Sequence, residues 1–250
     1  MGHYKAAILT PNKSLQVATL SFIGGIPTKG ENPWPSHPQR PDTPLTLLAQ
    51  LSCEDLVRAV PSSPLPDSGV LQFFFDTDQF IDSDDTPACR VVWQSNPDLN
   101  ETLTTSTPLN NNGGGLWSSL FGKKKPEIDP PRALPQTNLD FQAIETTQEG
   151  ALEDVANHLG IDLSDYTPDH IGPWNFWHQA LGELPPDLGG GPLSREPTVA
   201  HHILLLRLVC DEEHGLNWDG EHNPSLTFWI SKTDLSANRW DRAYALFSDF

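Results

Sequence analysis

Six prolines fall between positions 27 and 44 (Pro27, Pro33, Pro35, Pro38, Pro41 and Pro44), a density that excludes regular structure over this stretch. A stretch of that length inside a compact domain is either functional or pinned by its own side chains. Trp34 is the natural pin. The proline excess is chain-wide: 24 in 250 residues is nearly twice the usual ~5%. With 37% hydrophobic and 19% charged residues, the chain is still globular and long enough to bury a proper core.

Around this loop the apolar runs are short and bounded by glycine or proline, which is strand punctuation. Strands are expected over residues 4–9, 16–23, 45–51, 69–75, 88–93, 200–210 and 225–230. A short helix is expected over residues 52–60, with Ser52 as N-cap, Asp55 at the third helical position and Pro61 as its stop. Leu152, Val155, Ala156 and Leu159 have helical spacing within residues 150–159. Further helical segments are expected around Trp174, Phe176, Trp177 and Leu181, and over residues 238–247. Residues 104–135 read as a flexible insertion, with NNNGGG at 110–115, KKK at 123–125 and four prolines after it. The fold class this implies is α+β and β-rich: one domain over residues 1–250, with mixed or antiparallel sheets and a few short helices.

One internal echo stands out. Residues 47–51 followed by 69–75 resemble residues 204–208 followed by 225–230, each an apolar strand, an acidic loop and an aromatic strand. Such an echo implies two related halves sharing one sheet system.

Charge narrows the partners. Lys and Arg total 15 against 33 acids, a net of −18, which argues against nucleic acid because phosphate binding needs cationic side chains. Residues 1–125 carry 9 basic and 12 acidic groups, a net of −3, whereas residues 126–250 carry 6 and 21, a net of −15. Solubility is one reading of that field, and attraction of a basic protein partner is the other. On the second reading Asp211, Glu212, Glu213, Asp219 and Glu221 are the partner-binding candidates. No membrane contact is expected, because no apolar run reaches the ~18 residues of a span and Arg207 interrupts residues 203–210. Residues 1–10 lack the pattern of a secretory signal, and Cys53, Cys89 and Cys210 form no CxxC, so reduced thiols in a cytoplasmic protein are expected.

Catalytic motifs are scarce. There is no GxSxG elbow, no GxGxxG and no GxxxxGK[ST], and no cofactor is expected. Asp76, Asp78, Asp82, Asp84 and Asp85 offer oxygen ligands to a hard cation, but without EF-hand spacing they read as a solvated turn. Asp211, His214 and His222, with His201 and His202 on the preceding strand, are the alternative: a metal-binding or hydrolytic site over residues 201–222. His170 and His178, beside Trp174 and Trp177, read as hydrogen-bonded core-edge residues.

The order of segments carries a resemblance. FIGGIP at 22–27, NPWP at 32–35, PLTLLAQL at 44–51, Asp55-Leu56, GVLQFFFD at 69–76, HQALG at 178–182, LLLRL at 204–208, Trp218-Asp219-Gly220 and LTFWI at 226–230 ahead of Asp234-Leu235 are together similar to the YwqG-like family of bacterial proteins. Arg207 stands where the family pattern has a second glutamine, and residues 220–224 rewrite its W-G-D-x-G turn. The resemblance implies a cytoplasmic, β-rich α+β domain of unknown function. For some members it also implies an immunity role against a polymorphic toxin, and so a cationic toxin domain as partner. Gly25, Trp34, Gln50 and Trp229 are read as structural anchors.

Overall fold

The computed structural model describes residues 3–12, 19–61, 63–77, 88–102, 134–147, 178–182, 202–209, 216 and 225–248. In chain order these form β1 (His3–Pro11), β2 (Phe22–Ile23), β3 (Thr28–Lys29), β4 (Ser36–His37), β5 (Arg40–Pro44), β6 (Thr46–Ser52), α1 (Cys53–Ala59), β7 (Val70–Phe75) and β8 (Cys89–Gln94). They continue with β9 (Asp98–Thr102), β10 (Thr137–Thr147), β11 (His178–Gly182), β12 (His202–Leu208), β13 (Ser225–Ser231), α2 (Lys232–Ser236) and β14 (Tyr244–Ser248). The α+β, β-rich reading holds. The helix expected at 150–159, the Trp174–Trp177 part of the next one and residues 16–18 lie outside the described residues.

Ten strands pair antiparallel in the order β14-β13-β12-β11-β1-β10-β2-β6-β7-β8. The β1–β10 pair is the seam. Five strands lie on each side of it, counting β1 and β10 themselves, and β6 and β12 hold corresponding places, as do β7 and β13. Those are the segments of the sequence echo.

Side-chain alternation gives each half two faces. On β7, Leu71, Phe73 and Phe75 enter the main core, while Phe74 joins a second cluster with Phe22, Leu45 and Leu47. On β13, Leu226, Phe228 and Ile230 enter the main core. The sheet curls until the inner faces of the two halves meet: the Phe73 and Phe228 rings pack edge-on at 5.3 Å, and Trp93 lies 6.3 Å from Trp240. Bulges in β6 and β12 keep the apolar stripe in phase, so that Leu48 and Ala49, and likewise Leu205 and Leu206, turn inward in succession.

Capping is local and repeated. Ser52 Oγ accepts the Asp55 amide at 3.3 Å, as its sequence position predicts. Ser231 caps α2 in the same way, accepting the Asp234 amide at 2.9 Å. Both strands therefore end in the pattern S-x-x-D-L, and Leu56 and Leu235 are both buried.

Three expectations require correction. Residues 238–247 are not a helix: Asn238 takes φ 54 and ends α2, a 3-10 turn covers Trp240–Arg242, and β14 then pairs with β13. Ala243 and Ala245 enter the core on a period of two, which a helix cannot supply. The segment ending near Leu181 is β11 from His178 onward, because β1 and β12 hydrogen-bond it from both sides. The proline-rich stretch is not wholly irregular, since β4 and β5 form a two-stranded ribbon, where a strand needs donors on one side only.

Residues 134–135, which composition groups with the insertion, are part of the described fold. Leu134 is buried and its carbonyl accepts the Gly25 amide at 2.9 Å, so residues 134–135 belong to the folded body. Gly24, at φ +66, approaches so closely that a Cβ there would lie 2.1 Å from the Pro135 carbonyl oxygen. Replacing residues 104–133 with a short Gly/Ser linker should leave the urea midpoint near wild type, since loop-closure entropy changes slowly with length. Extending the replacement through Pro135 should lower it clearly.

Trp34 joins the loop to the sheet. Its indole N–H donates to the Leu45 carbonyl at 2.8 Å and its ring meets Phe74 at 5.5 Å. Trp34→Phe should cost ~1 kcal/mol for the lost hydrogen bond, and Trp34→Ala about 2–4 kcal/mol, read by urea denaturation. An unchanged midpoint in the alanine variant would show that the ring does not hold the loop.

Candidate functional site

The outer face of β6–β8 carries the densest buried polar network of the described residues. Gln50, Gln72 and Gln94 succeed one another at intervals of 22 residues, one on each of the three strands, and all are fully buried. Gln72 Nε2 donates to Gln50 Oε1 at 3.0 Å, and Gln94 Nε2 donates to Gln72 Oε1 at 3.3 Å. The amides then turn to the proline-rich loop. Gln50 Oε1 accepts the Thr28 amide at 2.8 Å, and Gln72 Nε2 donates to the Thr28 carbonyl at 2.7 Å. Gln94 Oε1 accepts the Asn32 amide at 2.9 Å and Gln94 Nε2 donates to the Asn32 carbonyl at 3.0 Å. Gln50 was foreseen as an anchor; Gln72 and Gln94 were not, although their equal spacing on three strands was there to read.

A second clamp sits where β7 ends. Asp76 is buried and receives both the Arg40 guanidinium and His37 Nε2, the latter at 3.4 Å. His37 Nδ1 accepts the amides of Gln39 and Arg40 at 3.1 Å each. Both ring nitrogens are thus engaged, and the geometry places the proton on Nε2. Asp76 was read as part of a solvated acidic turn; it is instead the buried end of an ion pair. Asp78, Asp82, Asp84 and Asp85 lie outside the described residues. Glu31 ties the other end of the loop, its Oε1 accepting the Ser95 amide and hydroxyl at 2.8 Å each. Partial burial pushes the Glu31 carboxyl up, but the hydrogen bonds from Ser95 together with those from the backbone amides of Glu31 and Asn96 outweigh it and hold the group below its ordinary value.

The corresponding face of the other half is chemically different. Arg207 and Thr227 are register partners in one row, and Leu204, Trp229 and Tyr244 in the next. Arg207 is buried, and that burial draws its guanidinium down to about 10, so it remains a cation at neutral pH. Trp229 is buried. His202 packs edge-on against Tyr244 at 5.7 Å, and burial pushes the Tyr244 hydroxyl up to about 12. The Thr227 hydroxyl donates to the Leu246 carbonyl at 3.0 Å.

The partner-binding candidates Asp211, Glu212, Glu213, Asp219 and Glu221 lie outside the described residues, as do His201, His214 and His222 of the metal alternative. Among the described residues, no group of three or more His, Cys, Asp and Glu side chains could hold a metal ion. Cys53 and Cys89 are buried free thiols, and desolvation pushes them up to about 12 and about 11. No described helix is long and apolar enough to cross a membrane.

Residues 21–248 match the family described as a domain of unknown function, DUF1963. The chain belongs to this family. No curated protein matches it. The matched span opens at Ser21, whose hydroxyl accepts the Ser52 amide at 2.9 Å and donates to Asp55 at 3.1 Å, and it closes with β14. It therefore takes in every strand of the sheet except β1, and the whole glutamine ladder.

Because the ladder meets a peptide backbone on its outer side, its loss should be felt as stability. Gln50→Leu strips partners from the Thr28 amide, the Leu20 carbonyl and Gln72 Nε2, each buried polar group costing ~1–3 kcal/mol. The expected loss is ~3 kcal/mol or more by urea denaturation, with earlier proteolytic cleavage between residues 26 and 35. A near-neutral effect would show that the loop does not depend on the ladder.

Proposed function

We propose that this member of the DUF1963 family is a protein-binding module of YwqG-like type whose acidic half faces a basic protein. The observation that carries the reading is charge: residues 126–250 hold 21 acidic and 6 basic groups, a net of −15. A field of that sign accelerates encounter with a cationic surface and repels anionic ones. The described polar network supports the same view, because the ladder, the His37–Asp76–Arg40 clamp and the buried thiols are engaged in holding the fold together. Within this reading the partner is a cationic toxin domain, and the chain acts in the bacterial cytoplasm as its immunity protein.

The test is kinetic. The product of the neighbouring gene is purified, and its association rate with the chain is measured by stopped flow at rising salt. The rate should fall steeply as the Debye length shrinks from about 10 Å at 0.1 M to about 3 Å at 1 M. Reversal of Asp211, Glu212 and Glu213 to Lys should slow association at low salt while leaving the far-ultraviolet spectrum unchanged. Binding that is indifferent to salt and to charge reversal would sink the proposal. Loss of a bound metal ion in the reversed protein would move the argument to a metal-dependent function of residues 201–222.

A further inference from the structure

We propose that the turn joining β4 and β5 is a pH-sensitive latch, held shut by neutral His37 and opened when that imidazole takes up a proton. This goes beyond the acidic-surface reading and does not depend on it.

Two independent observations carry the inference. The first is the place of the ring. His37 is buried, and the single in-plane lone pair of its Nδ1 is shared by the amides of Gln39 and Arg40, each at 3.1 Å. Its Nε2 faces Asp76 Oδ2 at 3.4 Å. The second is the turn itself. Pro38 and Gln39 are the two residues between the paired strands β4 and β5. Two-residue hairpins favour turns with a residue at positive φ, which match the twist of the strands, whereas the ordinary turns splay them. Neither Pro38 nor Gln39 has a positive φ. The backbone therefore does not close this hairpin by its own preference, and the ring supplies the closure.

The chemistry of the ring makes the latch two-state. A neutral imidazole has one donor nitrogen and one acceptor nitrogen, and an imidazolium has two donors. A proton on Nδ1 sets an N–H against the two amide N–H groups that point at it, so both hydrogen bonds are lost together. The closed turn belongs to the neutral ring and the open turn to the charged one. Histidine is the side chain that ordinarily changes charge between pH 5 and 8. Among the described residues, the charged groups around the ring are Asp76 at the end of β7 and Arg40 on β5, which pair with each other. The carboxylate attracts a protonated ring and the guanidinium repels it, but neither can stand in for the acceptor that the two amides lose.

The rest of the proline-rich loop supplies the contrast. Gln50, Gln72 and Gln94 hold Thr28 and Asn32 through uncharged carboxamides, and Trp34 holds Leu45 through an indole N–H. None of these groups titrates. Opening is therefore confined to the tip of the ribbon, residues 37–40, and leaves the layer over β6–β8 in place.

The full chain, labelled with 15N and 13C, is followed by NMR from pH 7.5 to pH 5. The Gln39 and Arg40 amide resonances should move with the His37 ring resonances along one titration curve, while the Asn32 amide and the Trp34 indole N–H stay in place. Solvent exchange of the two turn amides, taken relative to that of the Asn32 amide, should rise at least tenfold over the same range. In His37→Asn a short carboxamide can accept a turn amide without titrating, so the turn amides should keep their positions throughout. A His37 ring that titrates without moving the two amides overturns the proposal, and so does a ring that stays neutral down to pH 5. Amide shifts that persist in His37→Asn overturn it as well, because they would report another acid. Movement of Asn32 together with the tip overturns the local latch. The wild-type titration decides even where His37→Asn fails to fold.

Discussion

A proline-rich segment cannot satisfy its own backbone, and in this protein three buried glutamines satisfy it instead. A carboxamide both donates and accepts, so one side chain can meet an N–H and a C=O of the same residue, as Gln94 does with Asn32. Apolar residues at these positions would pack as well but would leave the Thr28 and Asn32 backbone groups buried and unmet. The ladder thus turns an irregular stretch into a second layer over β6–β8. Trp34 over Phe74 and the His37–Asp76–Arg40 clamp then hold the layer at two further points.

The rest of the architecture follows from the seam. β10 reaches from its pairing with β2 at Thr137 and Asn138 to its pairing with β1 as far as Thr147. One long strand therefore belongs to both halves and couples them. Curling about that seam brings Phe73 to Phe228 and Trp93 to Trp240, so a single core serves two similar strand arrays. The halves share an inner chemistry and differ outside: glutamines that grip a loop on one, and arginine, tryptophan and tyrosine on the other.

Much of this was legible locally. Ser52 with Asp55 announced a cap because the bond it makes spans three residues. The runs at 45–51, 69–75 and 225–230 announced strands because burial on both faces demands continuous apolar sequence. Residues 138–142 alternate Leu139 and Phe141 with polar neighbours, a short period-two signal within the central strand β10. Residues 238–247 misled because Trp240, Tyr244 and Phe247 also have helical spacing, and only pairing with β13 decides between the two periods. Of the candidate site, Gln50 and Trp229 were legible as anchors, whereas Tyr244 was hidden inside the misread helix.

By itself the sequence determined the class of fold, the position of the proline-rich layer, the caps and the acidic balance. Each depends on composition or on neighbours within a few residues. Only the tertiary structure decided that residues 22 apart would form one hydrogen-bonded ladder, and that Arg207, Trp229 and Tyr244 would share a face. The physical reason is register. A strand shifted by one residue turns every side chain to the opposite face, and the bulges in β6 and β12 make that shift in mid-strand, so the face a residue occupies is set by its partners across the sheet.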